Sequence, residues 1–222
     1  MEIRYEEGRW SLLRSLRDDA FQMMRPLTDR HLQPLAYGSI ARGDVKLGSD
    51  VDIFVPATSS PTIIEATIEA AGYTPISREI IQATPTYAAK GYIHIKENRS
   101  YSFPLVELRP REQEFYGFAG TATFLQVQEG IRVSGVDKRL MLIEPTESGH
   151  IETPIQGREG DIAKKLGIGA AVIRDRVRIL TRRDRVGRTG VYLKRSLSPN
   201  ETFGDIYHKL GKTRPPLRRR LR

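Results

Sequence analysis

The chain has no cysteine. That removes disulfides, thiolate metal sites, iron–sulfur centres and cysteine nucleophiles, and it points to an intracellular, reducing compartment. Any metal must therefore sit on oxygen or imidazole ligands. No apolar run approaches the roughly 20 residues needed to span a bilayer. The first residues, with Glu2, Glu6 and Glu7, lack the basic and apolar regions of a signal peptide. A cytoplasmic chain with no membrane partner is the expectation. Histidine is sparse as well: His31, His94, His150 and His208 show no ligand-like spacing and read as structural or surface residues.

Positive charge is abundant but unevenly spread. Residues 158–222 hold 19 Lys and Arg against 6 Asp and Glu, which leaves 17 against 21 for residues 1–157 out of totals of 36 and 27. The excess of +9 thus belongs to the C-terminal third. Such asymmetry points to a polyanionic partner, most simply nucleic acid, although a basic surface also suits acidic membranes or plain solubility.

At 222 residues the chain can bury one sizeable core or two modest ones. The reading here is two units and a tail: residues 1–150, residues 151–213 and a basic tail over 214–222. Leu12, Leu13, Leu16, Ala20, Met23, Met24 and Leu27 recur at helical spacing and predict an amphipathic helix over 8–31, which Pro26 ends or kinks. A short strand at 35–37 runs into Gly38-Ser39, a second strand covers 50–55, and Ser60-Pro61 opens a helix ending at Gly72. Strands are expected at 76–83, 92–96 and 104–108, and a partly helical stretch at 112–130. The segment 149–157 reads as a boundary. Beyond it, residues 159–183 give helix, Gly167-Ile168-Gly169 turn and helix, and two apolar strands flank Gly187-Arg188-Thr189-Gly190. That series predicts a small winged helix-turn-helix. The fold class expected is α+β, a mixed sheet with helices plus this smaller unit.

The chemistry centres on two carboxylates. Residues i and i+2 of a strand share a face, so Asp50 and Asp52 are presented together, an unfavourable arrangement unless a cation lies between them. Hard oxygen ligands suit Mg²⁺ or Mn²⁺. Gly38-Ser39 lets backbone N–H groups approach an anion, and Arg42 adds charge within reach of a triphosphate. The bland alternative for Asp-x-Asp is a pair of solvated residues on an edge strand.

The run Gly38-Ser39-Ile40-Ala41-Arg42-Gly43 followed by Gly48-Ser49-Asp50-Val51-Asp52-Ile53 resembles the signature of the DNA polymerase beta superfamily of nucleotidyltransferases, particularly its minimal members. The resemblance covers about residues 33–130. It implies that Asp50 and Asp52 hold divalent metal, that Gly38, Ser39, Arg42 and Ser49 bind the phosphates of a nucleoside triphosphate, and that a third carboxylate on a neighbouring strand completes the site. Glu107, between Val106 and Leu108, is the expected third ligand and proton acceptor, a glutamate where the family usually has aspartate. By the same resemblance Phe118 and Gly120 fall where the nucleotide's sugar and base lie. The implied activity is transfer of a nucleoside monophosphate to a hydroxyl, with pyrophosphate released.

Residues 162–180 resemble the winged-helix domains of many archaeal and bacterial transcription regulators. Arg174, Arg176, Arg178, Arg182, Arg183 and Arg188 are the expected contacts to nucleic acid, since arginine bridges phosphates and reads guanine edges. A winged helix used for dimerisation or domain packing is the alternative. The acceptor expected is a nucleic-acid 3′ hydroxyl. A protein hydroxyl, or a DNA-binding regulator that senses nucleotide without turnover, are the other readings.

Overall fold

The structure, a computed structural model, describes residues 1–56, 60–187 and 190–220. In chain order these form β1 (Glu2–Arg4), α1 (Glu7–Asp29), β2 (Leu35–Tyr37), α2 (Ser39–Arg42), β3 (Val51–Phe54), α3 (Pro61–Ala70), β4 (Ser77–Gln82), β5 (Lys90–Lys96) and β6 (Arg99–Pro104). There follow α4 (Pro110–Ala119), β7 (Thr121–Thr123), α5 (Phe124–Gln128), β8 (Gly135–Val136), β9 (Met141–Thr146) and β10 (Gly149–Pro154). The chain closes with α6 (Glu159–Leu166), α7 (Ala170–Val186), β11 (Leu193–Ser196), α8 (Phe203–Thr213) and α9 (Pro215–Arg218).

The class is α+β. A large sheet has the order β11-β4-β5-β6-β3-β2-β7 and a small one the order β1-β10-β9-β8. The large sheet is mixed: β3 and β6 run parallel, whereas β2 is antiparallel to both β3 and β7. No helix among the described residues is long and apolar enough to cross a membrane.

Alternation along β3 sets the layers. Val51 and Ile53 join the main core with Leu16, Met24, Ile64, Ile68 and Phe203, so α1, α3 and α8 cover one face of the large sheet. Asp52 and Phe54 point to the other face, where Phe54 stacks on Tyr116 of α4 at 3.7 Å between ring centroids. Each fully buried aliphatic or aromatic side chain of these layers contributes about 1.5–3 kcal/mol of transfer free energy. A second core joins Phe118, Val136, Leu142 and Ile155 to Ile162, Val172, Ile173 and Leu180, and so mounts α6 and α7 on α4 and the small sheet.

Several expected elements hold. The α1 stripe is buried as its spacing requires, and the helix continues through Pro26. α6 and α7 meet at Gly167, whose φ of 64° ends α6 in the left-handed region that glycine tolerates.

Others are corrected. The third strand of the central region is Arg99–Pro104 and not 104–108, because Asn98, at φ 58°, makes the tight turn from β5 and the chain re-enters the sheet at once. Gly91 lies inside β5: a Cβ there would meet the Phe103 ring at 2.5 Å, so the residue allows close packing rather than marking a break. The boundary at 149–157 falls on β10, which pairs along its whole length with β9. After α7 no second strand of a wing is present among the described residues; β11 instead pairs with β4 of the large sheet, and Leu193, Phe203, Ile206, Tyr207 and Leu217 enter the main core. Residues 151–213 are therefore not a separate unit. The basic tail is packed as far as Arg220, with Leu217 fully buried and Arg220 bonded to Glu112. Arg188 lies outside the described residues.

Candidate active site

A cleft of about 650 Å³ opens between the Asp52 face of the large sheet, the small sheet and α7. Tyr37, Gly38, Ser39, Ser49, Asp50 and Asp52 line it from the large-sheet side, Phe115 and Phe118 from α4, Asp137, Lys138 and Arg139 from the turn after β8, and Arg176 from α7.

Local sequence explains the geometry around the carboxylates. Gly38 leaves β2 at φ 77° and ψ −141°, a conformation open to glycine, and its carbonyl accepts from Arg42 N–H at 3.0 Å to start α2. Arg17, buried on α1, donates to the carbonyls of Ile40, Ala41 and Ile131 and clamps that short helix from behind. Ser49 closes the next turn reciprocally: its Oγ accepts from Lys46 N–H at 2.9 Å, and its own N–H donates to the Lys46 carbonyl at 2.9 Å. Asp50 then stands exposed just before β3, and Asp52 lies one pleat further along it.

Asp52 is held by its neighbours. It pairs with Ser100 of β6, whose hydroxyl donates to Asp52 Oδ1 at 2.6 Å, and Ser100 in turn faces His94 of β5. Burial raises the Asp52 pKa above the usual carboxylate range; the Ser100 hydrogen bond opposes the rise and the Asp50 charge adds to it. The strand beside β3 thus presents a hydroxyl, Ser100, directly opposite Asp52. Glu107 lies in the irregular segment after β6, exposed and not among the cleft residues, with its backbone carbonyl accepting from Arg220. The reason is the register of β6, which ends at Pro104 and carries Glu107 past the end of the sheet.

Arg42 is also placed differently from expectation. Only 5% exposed, it donates to the carbonyls of Ala119 at 2.6 Å and Val136 at 3.4 Å, and pairs with Asp44 at 2.9 Å. Its charge is neutralised and it ties the α2 turn to α4 and β8. Gly120 serves the same joint: its carbonyl accepts from Gly38 N–H at 3.0 Å, and a Cβ on Gly120 would meet Arg42 Cγ and the Ser134 carbonyl at 3.0 Å. Phe118 lines the cleft while rooted in the second core.

The opposite wall was not read from the sequence. His150, 1% exposed, bonds Tyr5 Oη at 2.6 Å and Glu152 at 3.1 Å, and Arg139 bridges Glu152 and Asp137. Burial works against the Glu152 carboxylate, yet hydrogen bonds from Arg139 and His150 outweigh it and hold the group below the usual range. Lys138, beside this network, lowers the Asp52 pKa by its charge. The only local signal was the charge cluster Asp137-Lys138-Arg139, and hairpin pairing of β9 with β10 is what brings Glu152 against it.

Of the arginines assigned to nucleic acid, Arg174, Arg178, Arg182 and Arg183 are exposed on α7, and Arg178 is bonded to Asp175. Arg176 turns inward, its guanidinium 4.8 Å from the Phe115 ring centroid and 5.8 Å from that of Phe118. Among the described residues no cluster of three or more His, Cys, Asp or Glu side chains could hold a metal ion. Two carboxylates are nonetheless a suitable donor set for Mg²⁺, which commonly takes one or two carboxylates and completes its shell with water and substrate phosphates. No protein-family model, curated protein or solved structure matches the chain.

Proposed function

We propose that the protein is a metal-dependent nucleotidyltransferase with a polymerase beta-like fold, moving a nucleoside monophosphate from a nucleoside triphosphate to a nucleic-acid 3′ hydroxyl. The acceptor oxygen forms a bond to the α-phosphorus, the bond from that phosphorus to the bridging oxygen breaks, and pyrophosphate leaves. The observation that carries this reading is the convergence of Gly38, Ser39, Ser49, Asp50 and Asp52 on one cleft that also has an aromatic wall, Phe115 and Phe118.

Asp50 and Asp52 would hold Mg²⁺ or Mn²⁺, which when bound supplies charge stabilisation to the phosphates and acidifies the attacking hydroxyl. The chain's own residues do the remaining work. The Gly38-Ser39 turn offers N–H and hydroxyl donors to phosphate oxygens. Phe118 and Phe115 give the nucleoside an apolar surface from which water is excluded. With Glu107 away from the cleft, Asp50 and Asp52 are the cleft carboxylates without an ion-pair partner among the described residues, and the exposed Asp50 offers the hydroxyl's proton a route to solvent. The ladder of Arg174, Arg178, Arg182 and Arg183 on α7, the helix that also lines the cleft, favours a polyanionic acceptor over a protein one.

The test is to incubate the full chain with Mg²⁺ or Mn²⁺ and each labelled NTP, adding RNA, DNA or nothing. Label on nucleic acid supports the reading. Label on a protein band redirects it to a protein hydroxyl. Absence of transfer with every NTP, alongside intact duplex binding, replaces it with a nucleotide-sensing regulator.

A further inference from the structure

Arg42 carries the charge that the sequence motif offers to phosphates, and Asp44 neutralises it. A polyphosphate in the cleft must find its cation elsewhere. Among the described residues, Arg9, Lys46, Lys138 and Arg176 line the cleft with no carboxylate within ion-pair distance. Lys46 and Lys138 are exposed, so water and salt screen them. Arg9 lies over the Tyr5 ring at 4.1 Å.

Arg9 and Arg176 both differ from the two lysines, being half-buried with an Nε shielded from solvent and without a hydrogen-bond partner. Arg176 differs from Arg9 in resting on two rings, Phe115 and Phe118, that themselves line the cleft. Contact through ring faces holds a guanidinium plane while leaving its N–H edge free, and that edge is the part that bonds two oxygens of one phosphate. A guanidinium partly withdrawn from water at Nε and given neither carboxylate nor carbonyl is less favourable in the ligand-free protein, and an oxyanion at its free edge reduces that penalty.

We propose that Arg176 is the phosphate-binding cation of this cleft, its fork receiving the triphosphate of the nucleotide while Phe115 and Phe118 hold the guanidinium in place. The assignment rests on the nucleotidyltransferase reading for the identity of the phosphate's carrier, and on the geometry alone for the anion site. It moves Arg176 out of the exposed ladder that faces nucleic acid. It also makes α7 part of the nucleotide site, so that the segment expected to be a separate unit completes the cleft.

The experiment is calorimetric titration of the full chain with inorganic tripolyphosphate in metal-free buffer at low salt, comparing wild type with Arg176→Met, Arg176→Lys and the distant exposed control Arg25→Met. Arg176→Met keeps the apolar stem over the rings, and binding about 10- to 100-fold weaker than wild type is expected. Arg176→Lys, which keeps charge but loses the fork, falls between, and Arg25→Met matches wild type. The thermal midpoint of ligand-free Arg176→Met should equal or exceed that of wild type, because an uncompensated cation is gone. Unchanged tripolyphosphate affinity in Arg176→Met, a wild-type chain that does not bind tripolyphosphate, or an equal loss in Arg25→Met overturns the proposal. If Arg176→Met does not fold, Arg176→Lys decides: affinity equal to wild type refutes the fork. Loss of binding in Arg176→Met from a chain that transfers no nucleotide leaves the anion site standing and removes the enzymatic reading; transfer with unchanged binding does the reverse.

Discussion

Asp52 combines two demands that oppose each other. Its burial raises the carboxyl's pKa, whereas the proposed metal ligation needs it ionised. A folded-state pKa above the unfolded value means that the native chain binds the extra proton, so stability falls as pH rises through that interval. Asp52→Asn should therefore abolish metal-dependent transfer and raise unfolding free energy at neutral pH by about 1 kcal/mol, the trade seen when strained functional groups are neutralised. Urea titration at a series of pH values from 3.8 upward checks it: the stability gain should grow as pH rises and level off once Asp52 is ionised in the folded chain. Lys90 is a second, half-buried charge, bonded to Tyr116 Oη at 2.6 Å, and desolvation lowers its pKa to about 8 although Glu112 opposes the shift. Here the unfolded chain binds more protons between about 8 and 10.5, so Lys90 costs stability at neutral pH and the cost fades as pH climbs through that window. Lys90→Met should stabilise at pH 7 by about 1 kcal/mol, with the advantage gone near pH 10.5, as read from thermal midpoints across pH.

At the scale of elements, the β2-turn-α2 unit, α4 and β8 are locked through one side chain. Arg42 links Ala119, Val136 and Asp44, and Gly135 approaches the end of α4 so closely that a Cβ would meet Gly120 N at 2.6 Å. Arg42→Met leaves Asp44 as a buried carboxylate with no counter-ion and should cost about 3–5 kcal/mol in denaturant unfolding. Arg42→Met together with Asp44→Leu removes both charges and should recover most of that loss; no recovery would refute the buried-pair account. Glu107, past the end of β6, predicts the opposite pattern. Glu107→Gln should leave Mg²⁺ affinity within about two-fold of wild type, measured by titration of the full chain, since an exposed substitution away from the cleft perturbs little.

At the scale of the molecule, the C-terminal third is built into the fold rather than attached to it. β11 extends the large sheet, α8 fills the main core, and α7 walls the cleft. Removing residues 158–222 should therefore expose the β4 edge and leave Ile80, Ile93 and Phe103 without their cover. We expect no cooperative thermal transition from the truncated chain and one from the full chain, by circular dichroism; a cooperative transition at the wild-type temperature would restore the two-unit reading.

The sequence by itself determined what local pattern encodes. Glycine at a left-handed turn, alternation along β3 and helical spacing in α1, α6 and α7 were all legible, and they put Ser39, Ser49, Asp50 and Asp52 within one short stretch. Partners distant in sequence were not legible. Ser100 reaches Asp52 through parallel pairing of β3 with β6, Arg42 is held by carbonyls 77 and 94 residues away, and β11 joins β4 instead of forming a wing. A short apolar strand carries no mark of which edge it will pair with, and an arginine carries no mark of whether its charge will be met. Tertiary packing decides both, because strand pairing and charge burial depend on which surfaces the core brings together.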